Sequence, residues 1–464
     1  MNKDKMKRMK SICMAICTGI GTIQLIYAVA WAVCNGRNIQ DFYDTALYIE
    51  NAVTMSGDGW HLLGYSAILR VFLGMQGVMG DYYVIPLYLM QSAVSLLCYA
   101  YGFQVVYKLM FGQKISYGKA LIPAAYILTI PIVWQMQFAV LPDALCVAVT
   151  VLLFAKLAVC MWENRVYWDC MLVVLGCLLF TGLMHRHYFY GGLLICLFVC
   201  SIVTARCICK KYRCKDAFIL AGTLAVCIVI TSLVCWSANG KDIKGDVYVQ
   251  YSLEADLWDS CIYPNLREDY VYYSENITEV LPKEVVDLYG NNYEEYMIYI
   301  APVIETTAPE NARMIYRQMI EIGLSLHGKE MIKGFAKEGV CHAFIPVLMA
   351  KFMYFNGNSL YGHNLVKMYE MAPKLTVDYM HIGMNGFAVV SVLGMIMYAV
   401  NLMVQKPKRA KMIEVFIYCA LCVVCMLLPA MIFTVLRFDY RLSLFTAFIW
   451  AVMAISNIGG LQKK

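Results

Sequence analysis

Of the 464 residues, 61% are hydrophobic and only 15% are charged, against about 25% charged in a typical soluble domain. A chain this apolar cannot cover its surface with polar groups, which excludes an ordinary soluble enzyme and leaves lipid to cover part of it. The formal net charge of +6 sits in short basic clusters beside apolar runs, a mark of membrane topology rather than of nucleic-acid binding.

Lys3, Lys5, Lys7, Arg8 and Lys10 precede an apolar run over 11–33. At 1.5 Å per residue this run crosses a hydrocarbon core about 30 Å thick, and no small-residue cleavage site closes it. It is read as a retained first span with its basic N-terminus inside. Residues 34–82 then form the first outer loop. Asp41, Asp44 and Tyr48 are spaced by three and then four, so on a helix they share one face. Phe42, Ala46, Leu47 and Ile49 fall on other faces, as in a helix lying at the membrane interface. Two neighbouring carboxylates disfavour ionising together, and a carboxylate poised that way suits abstraction of a hydroxyl proton. The alternative is a solvated loop helix with incidental acids. The apolar stretch 61–80 carries Arg70 in its middle, and its crossing would invert every later loop, so it is placed as an interfacial or re-entrant segment.

Further spans are predicted at 83–107, 120–137, 144–161, 170–184, 188–204 and 217–236, then at 382–404, 413–435 and 442–456. With the first they make ten. Their interiors are nearly free of charge, as expected where a mid-membrane Lys, Arg or Asp costs roughly 2.5–3.5 kcal/mol. The run Leu141-Pro142-Asp143-Ala144-Leu145 puts Asp143 at the outer mouth of a span, where it either serves the helix dipole or faces a ligand. His185, Arg186 and His187 fill a very short outer turn. They either offer a cation to a phosphate or merely end two helices. Inner loops hold the dense basic clusters Arg206, Lys210, Lys211, Arg213, Lys215 and Lys406, Lys408, Arg409, Lys411. Residues 237–380 are read as a mainly helical outer domain, with 12 Lys/Arg against 20 Asp/Glu, a net of −8. Helices are expected there over 282–300 and 309–326, and over 330–355 lying against the membrane and broken near Pro346. Cys261 and Cys341 fall in this domain, and whether they pair is left open. Arg437 and Arg441 flank Asp439 in the last outer turn, as a clamp for a lipid phosphate or as its ion-pair partners. No phosphate-cradling glycine loop or nucleophile elbow occurs on the inner side. No acid lies beside the histidines at metal spacing, so no metal site is predicted.

The expected fold is thus an all-α polytopic membrane protein: a module over 1–236, the outer domain 237–380, and three last spans within 381–464. Three stretches carry a family likeness. They are Asp44-Thr45-Ala46-Leu47-Tyr48, leading through Ala52 to Gly64-Tyr65-Ser66; the Leu141–Leu145 run around Asp143; and Arg186. In these and in element order the chain resembles the GT-C class of polyprenyl-phosphate-sugar-dependent glycosyltransferases, the group that includes protein O-mannosyltransferases and lipid A aminoarabinose transferases. Ser66 stands where that family has proline, and 237–380 matches no named domain. The resemblance implies a sugar donor on a polyprenyl phosphate, drawn from the outer leaflet, and an inverting attack by an acceptor hydroxyl. Asp44 by preference, or Asp41, would be the general base. Arg186, with Arg437 or Arg441, would steady the leaving phosphate. Tyr48, Asp143, His185 and His187 would line the substrate site. No cofactor is implied beyond the lipid-linked donor, and assistance by a divalent ion is left open. The acceptor is an unspecified glycan, lipid or protein, not a nucleic acid. The location implied is a bacterial cell membrane with both termini cytoplasmic. The rivals are a transporter or flippase of lipid-linked sugar and a non-catalytic scaffold.

Overall fold

A computed structural model describes residues 3–37, 39, 45–55, 62–163, 168–209, 214–239, 304, 309–344, 373–433 and 443–459. Among these residues every regular element is a helix, with no strand. In order they are α1 (Lys3–Asn35), α2 (Thr45–Thr54), α3 (Leu63–Leu73), α4 (Gln76–Met79), α5 (Val84–Phe111), α6 (Tyr117–Leu128), α7 (Pro131–Gln137) and α8 (Asp143–Glu163). Then follow α9 (Trp168–Met184), α10 (Arg186–Ile208), α11 (Cys214–Asn239), α12 (Pro309–Ala343), α13 (Pro373–Val404), α14 (Arg409–Phe433) and α15 (Leu444–Gly459). Six helical stretches of the described residues are long and apolar enough to cross a membrane: Arg8–Asn35, Gln76–Phe111 (α4 running into α5), Asp143–Glu163, Arg186–Ile208, Lys374–Val404 and Arg409–Ile432. The chain is therefore a multi-pass, all-α membrane protein. Of the outer-domain expectations, the helix over 309–326 is found, and it runs on to Ala343. The stretches 282–300 and 345–355, and Cys261, lie outside the described residues.

The predicted span over 120–137 is divided between two helices. α6 has 12 residues, about 18 Å of helix, well short of the hydrocarbon core. The chain then turns by 94° into α7. The cause is Pro131, the first residue of α7. It has no N–H to continue the ladder, and its ring forces the preceding Ile130 to an extended backbone. Hydrocarbon offers nothing to carbonyls freed by such a break, so neighbouring helices must. Gln24 Nε2 of α1 donates to Tyr126 O and Thr129 Oγ1, both at 3.1 Å. Tyr379 OH of α13 donates to Thr129 O at 2.6 Å. Trp134 Nε1 of α7 donates back to Ala28 O of α1 at 2.9 Å.

Small residues set the closest crossings, as expected where lipid gives no hydrophobic drive between helices. A Cβ on Gly394 of α13 would lie 2.3 Å from Cα of Ala454 on α15. Two turns further on, Asn401 Nδ2 donates to Asn457 O at 3.1 Å and Oδ1 at 3.2 Å, pinning the same pair of helices in register. Gly394→Val is expected to push α13 off α15 and to lower stability by about 3 kcal/mol, read as a drop in the unfolding temperature of the detergent-solubilised chain. Where α5, α8, α10 and α13 end, polar ties close the loops. Lys108 pairs with Glu163 at 2.7 Å, Arg206 Nη1 donates to Met161 O at 2.8 Å, and Lys408 Nζ donates to the C-terminal carbonyl of α5, Phe111 O.

Candidate functional site

α2 and α3 make a short pair tied by Arg70, the residue that argued against a crossing at 61–80. Its Nη1 donates to Ala52 O at 3.4 Å and Val53 O at 3.2 Å, answering the open carbonyls at the end of α2. Tyr48 does not project outward from α2. It is 2% exposed and meets Tyr65 of α3 edge-on, ring centroids 5.2 Å apart. Gly64 permits a close approach that no side chain would allow, since its Cβ would lie 2.5 Å from Leu183 O in the last turn of α9. α3 thus sits against the chain one turn before the α9–α10 junction.

That junction differs from the predicted turn over 185–187. His185 alone is extended, and Arg186 already opens α10. His187 and Tyr188 are helical and buried. The His185 and His187 rings lie 4.2 Å apart, and His187 lies against the Tyr188 ring at 4.0 Å. The Arg186 guanidinium is therefore carried at the positive end of a helix dipole, an arrangement that stability alone disfavours unless anionic groups face it. One such group is close. Tyr188 OH donates to Asp143 Oδ1 at 3.2 Å, so the starts of α8 and α10 meet through a phenol and a carboxylate. Asp143 is the first residue of α8, as expected, but it is 1% exposed rather than open to solvent.

A polar network supports this meeting point from below. Tyr65 OH donates to Gln91 Oε1 of α5 at 3.1 Å. Gln91 Nε2 donates to Gln137 O at 2.9 Å and Ala139 O at 3.2 Å. Ser95 Oγ donates to Gln137 Oε1 at 3.0 Å. The short link from α7 to Asp143 is thereby fixed to α5 and α3. Burial, and then the neighbouring Tyr88 and Asp143, push the Tyr65 phenol well above its ordinary pKa, so it remains a neutral donor.

Of the predicted site residues, the structure brings together Asp143, His185, Arg186 and His187, with Tyr48 one aromatic contact away through Tyr65. Asp41, Asp44, Arg437 and Arg441 lie outside the described residues. Tyr188 was not singled out from sequence; Tyr65 entered only within the Gly64-Tyr65-Ser66 stretch, and Gln91, like Asn401, only as a rare polar residue inside a predicted span. A lone amide inside an apolar span was the available signal for Gln91, and for Tyr188 it was adjacency to the basic run. Among the described residues no group of three His, Cys, Asp or Glu side chains is arranged to hold a metal ion. Chemically, one end of the bundle offers a carboxylate, a phenol and two imidazoles in one connected cluster, with Arg186 at the start of the same helix. Fold and site define a class, a polytopic helical membrane protein with a polar cluster at one end of its bundle. No family model, curated protein or solved structure matches the chain.

Proposed function

We propose that the chain is a membrane glycosyltransferase that moves a sugar from a polyprenyl-phosphate donor to a hydroxyl acceptor at the outer face, with inversion. The observation that carries this reading is the meeting of Asp143 with Tyr188 at 3.2 Å directly beneath the basic group His185, Arg186 and His187. An anionic phosphate supplies what the positive helix end lacks, and a carboxylate beside it can steer a hydroxyl. Arg186 holds the departing phosphate in this scheme, joined by Arg437 or Arg441. Asp44 is the general base and Asp41 its neighbour, with Tyr48 shaping the wall. Phosphate leaves readily, so a strong general acid is not needed.

The sidedness this requires rests on a count of ten crossings. To the six long helices it adds α6 with α7 as one bent crossing and three of the four shorter apolar helices, Trp168–Met184, Phe218–Val234 and Leu444–Gly459, leaving out Leu63–Leu73, which carries Arg70. On that count the positive-inside rule assigns the basic loops to the inside and the Asp143–Tyr188 cluster, the first loop and 237–380 to the outside. The transporter rival gains from the broken helix, since discontinuous helices line transport sites. However, the described groups freed by the break are occupied by Gln24 and Tyr379 rather than turned toward a pathway.

The test is transfer by the purified full-length chain in proteoliposomes supplied with a panel of polyprenyl-phosphate sugars, followed as polyprenyl phosphate released. Arg186→Gln is expected to slow release about 10–100-fold while leaving the unfolding temperature nearly unchanged. Release at the wild-type rate would remove the phosphate-holding role.

A further inference from the structure

α12 is the least apolar of the long described helices, and its last third carries two kinds of residue in one stripe. Lys329, Lys333 and Lys337 follow one another every four residues, and all three are exposed. Ile332, Ala336 and Val340 run beside them at the same interval, with Ile332 71% and Val340 51% exposed. A four-residue interval keeps side chains on one side of a helix, so lysines and aliphatic groups form a single basic and apolar strip. Among the described residues, none of the three lysines has a hydrogen-bond or ion-pair partner.

The neighbouring side of the same helix is seated on the bundle. His342 Nδ1 lies 2.6 Å from Ser443 Oγ at the start of α15, and Trp450 Nε1 donates to Ala343 O at 2.6 Å. Gly339 faces Met431 near the end of α14. Phe344, 47% exposed, lies against the Trp450 ring at 5.9 Å. The strip therefore begins where the membrane-crossing helices end, continuous with their lipid-facing side, on which Val424 and Leu428 of α14 are exposed. Exposed aliphatics flanked by lysine ammoniums, with an aromatic pair at the edge, are what an interfacial helix presents to headgroups.

We propose that the Lys329–Phe344 strip of α12 is a docking surface for anionic phospholipid at the membrane surface. The apolar side chains enter the headgroup boundary, and the three ammoniums take up lipid phosphates. This anchors the otherwise acidic 237–380 segment against the bilayer, and it does not depend on sugar transfer. Each lysine near an anionic surface contributes about fivefold to such binding.

The experiment is hydrogen–deuterium exchange on the full chain in nanodiscs. One set contains phosphatidylcholine alone and the other a mixture with phosphatidylglycerol. Exchange over 329–344 is expected to slow on the order of tenfold in the mixed discs, and high salt should remove the difference. The K329Q/K333Q/K337Q chain, altered only at exposed positions, should exchange alike in both discs while its unfolding temperature stays put. Equal exchange of the wild type in both discs overturns the proposal. So does protection that rises with protein density in neutral discs, which would mark contact with a second copy. Protection produced by inorganic phosphate in neutral discs would likewise overturn it, since the strip would then be reading phosphate without a membrane.

Discussion

Replacing Gln91 by leucine is expected to lower the unfolding stability of the detergent-solubilised chain by about 3–5 kcal/mol, a large share of what holds a folded chain together. Leucine fills nearly the same space, so packing is not what is lost. Three buried groups lose their partner together: the Tyr65 hydroxyl, Gln137 O and Ala139 O. Tyr65 is fully buried, and no water replaces an amide at that depth, so each orphaned group contributes about 1–3 kcal/mol. The companion Tyr65→Phe removes one of the orphans. The double variant should therefore recover part of the loss, a coupling of roughly 1 kcal/mol in a double-mutant cycle. A Gln91→Leu chain that unfolds with the wild type would mean that the link from α7 to Asp143 is held by something else.

That network explains which parts of the molecule were legible in the sequence. Hydropathy marks apolar runs and their ends, so α1, α5, α8, α10 and α13–α15 fall close to their predicted places. Arg70 argued against drawing 61–80 as a crossing, because a guanidinium is costly at mid-membrane, and its guanidinium is held by the Ala52 and Val53 carbonyls. The bend at Ile130 was hidden because the apolar run continues unbroken through it. Pro131 was the one visible sign, and a proline alone does not say whether a helix kinks or breaks. Burial of His187 and Tyr188 was equally hidden. Both depend on α3 packing against Leu183 through Gly64, a contact between segments more than a hundred residues apart. The approach of Tyr188 to Asp143 has the same character, joining two helix starts that sequence treats as separate turns.

The polar groups inside the spans were also undercounted, and this bears on the choice between an enzyme and a carrier. Against spans read as nearly free of charge, Gln24, Gln91, Ser95, Gln135, Gln137, Asn401 and Asn457 are all buried. Most of the bonds they make go to helix ends, to a broken turn or to a helix pair in register. Groups spent on fixing backbone at depth are not available for a permeating solute. The end of the bundle where the Asp143 carboxylate meets the Tyr188 phenol, beside the start of α10, is then the place where chemistry can be sought.

Asp44→Asn is expected to lower sugar transfer by about 10²–10⁴-fold, the usual worth of a general base, with the chain still folded. Asp143→Asn should lower transfer by a smaller factor, on the order of 10²-fold. An asparagine oxygen can still accept from Tyr188, so the helix starts remain joined and only the negative charge is lost. A purely structural Asp143 makes a different forecast. Loss of a carboxylate at the start of α8 would then take roughly 0.3–1 kcal/mol from stability and leave transfer untouched. Measuring polyprenyl phosphate release and unfolding temperature on the same two preparations separates these cases. A scaffold leaves both variants at wild-type behaviour in every assay of lipid turnover. A carrier moves the lipid-linked sugar across the bilayer without freeing polyprenyl phosphate, in wild type and variant alike. Release that survives Asp41→Asn, Asp44→Asn and Asp143→Asn together would leave the hydroxyl with none of the proposed carboxylates to take its proton, and the glycosyltransferase reading would fall with it.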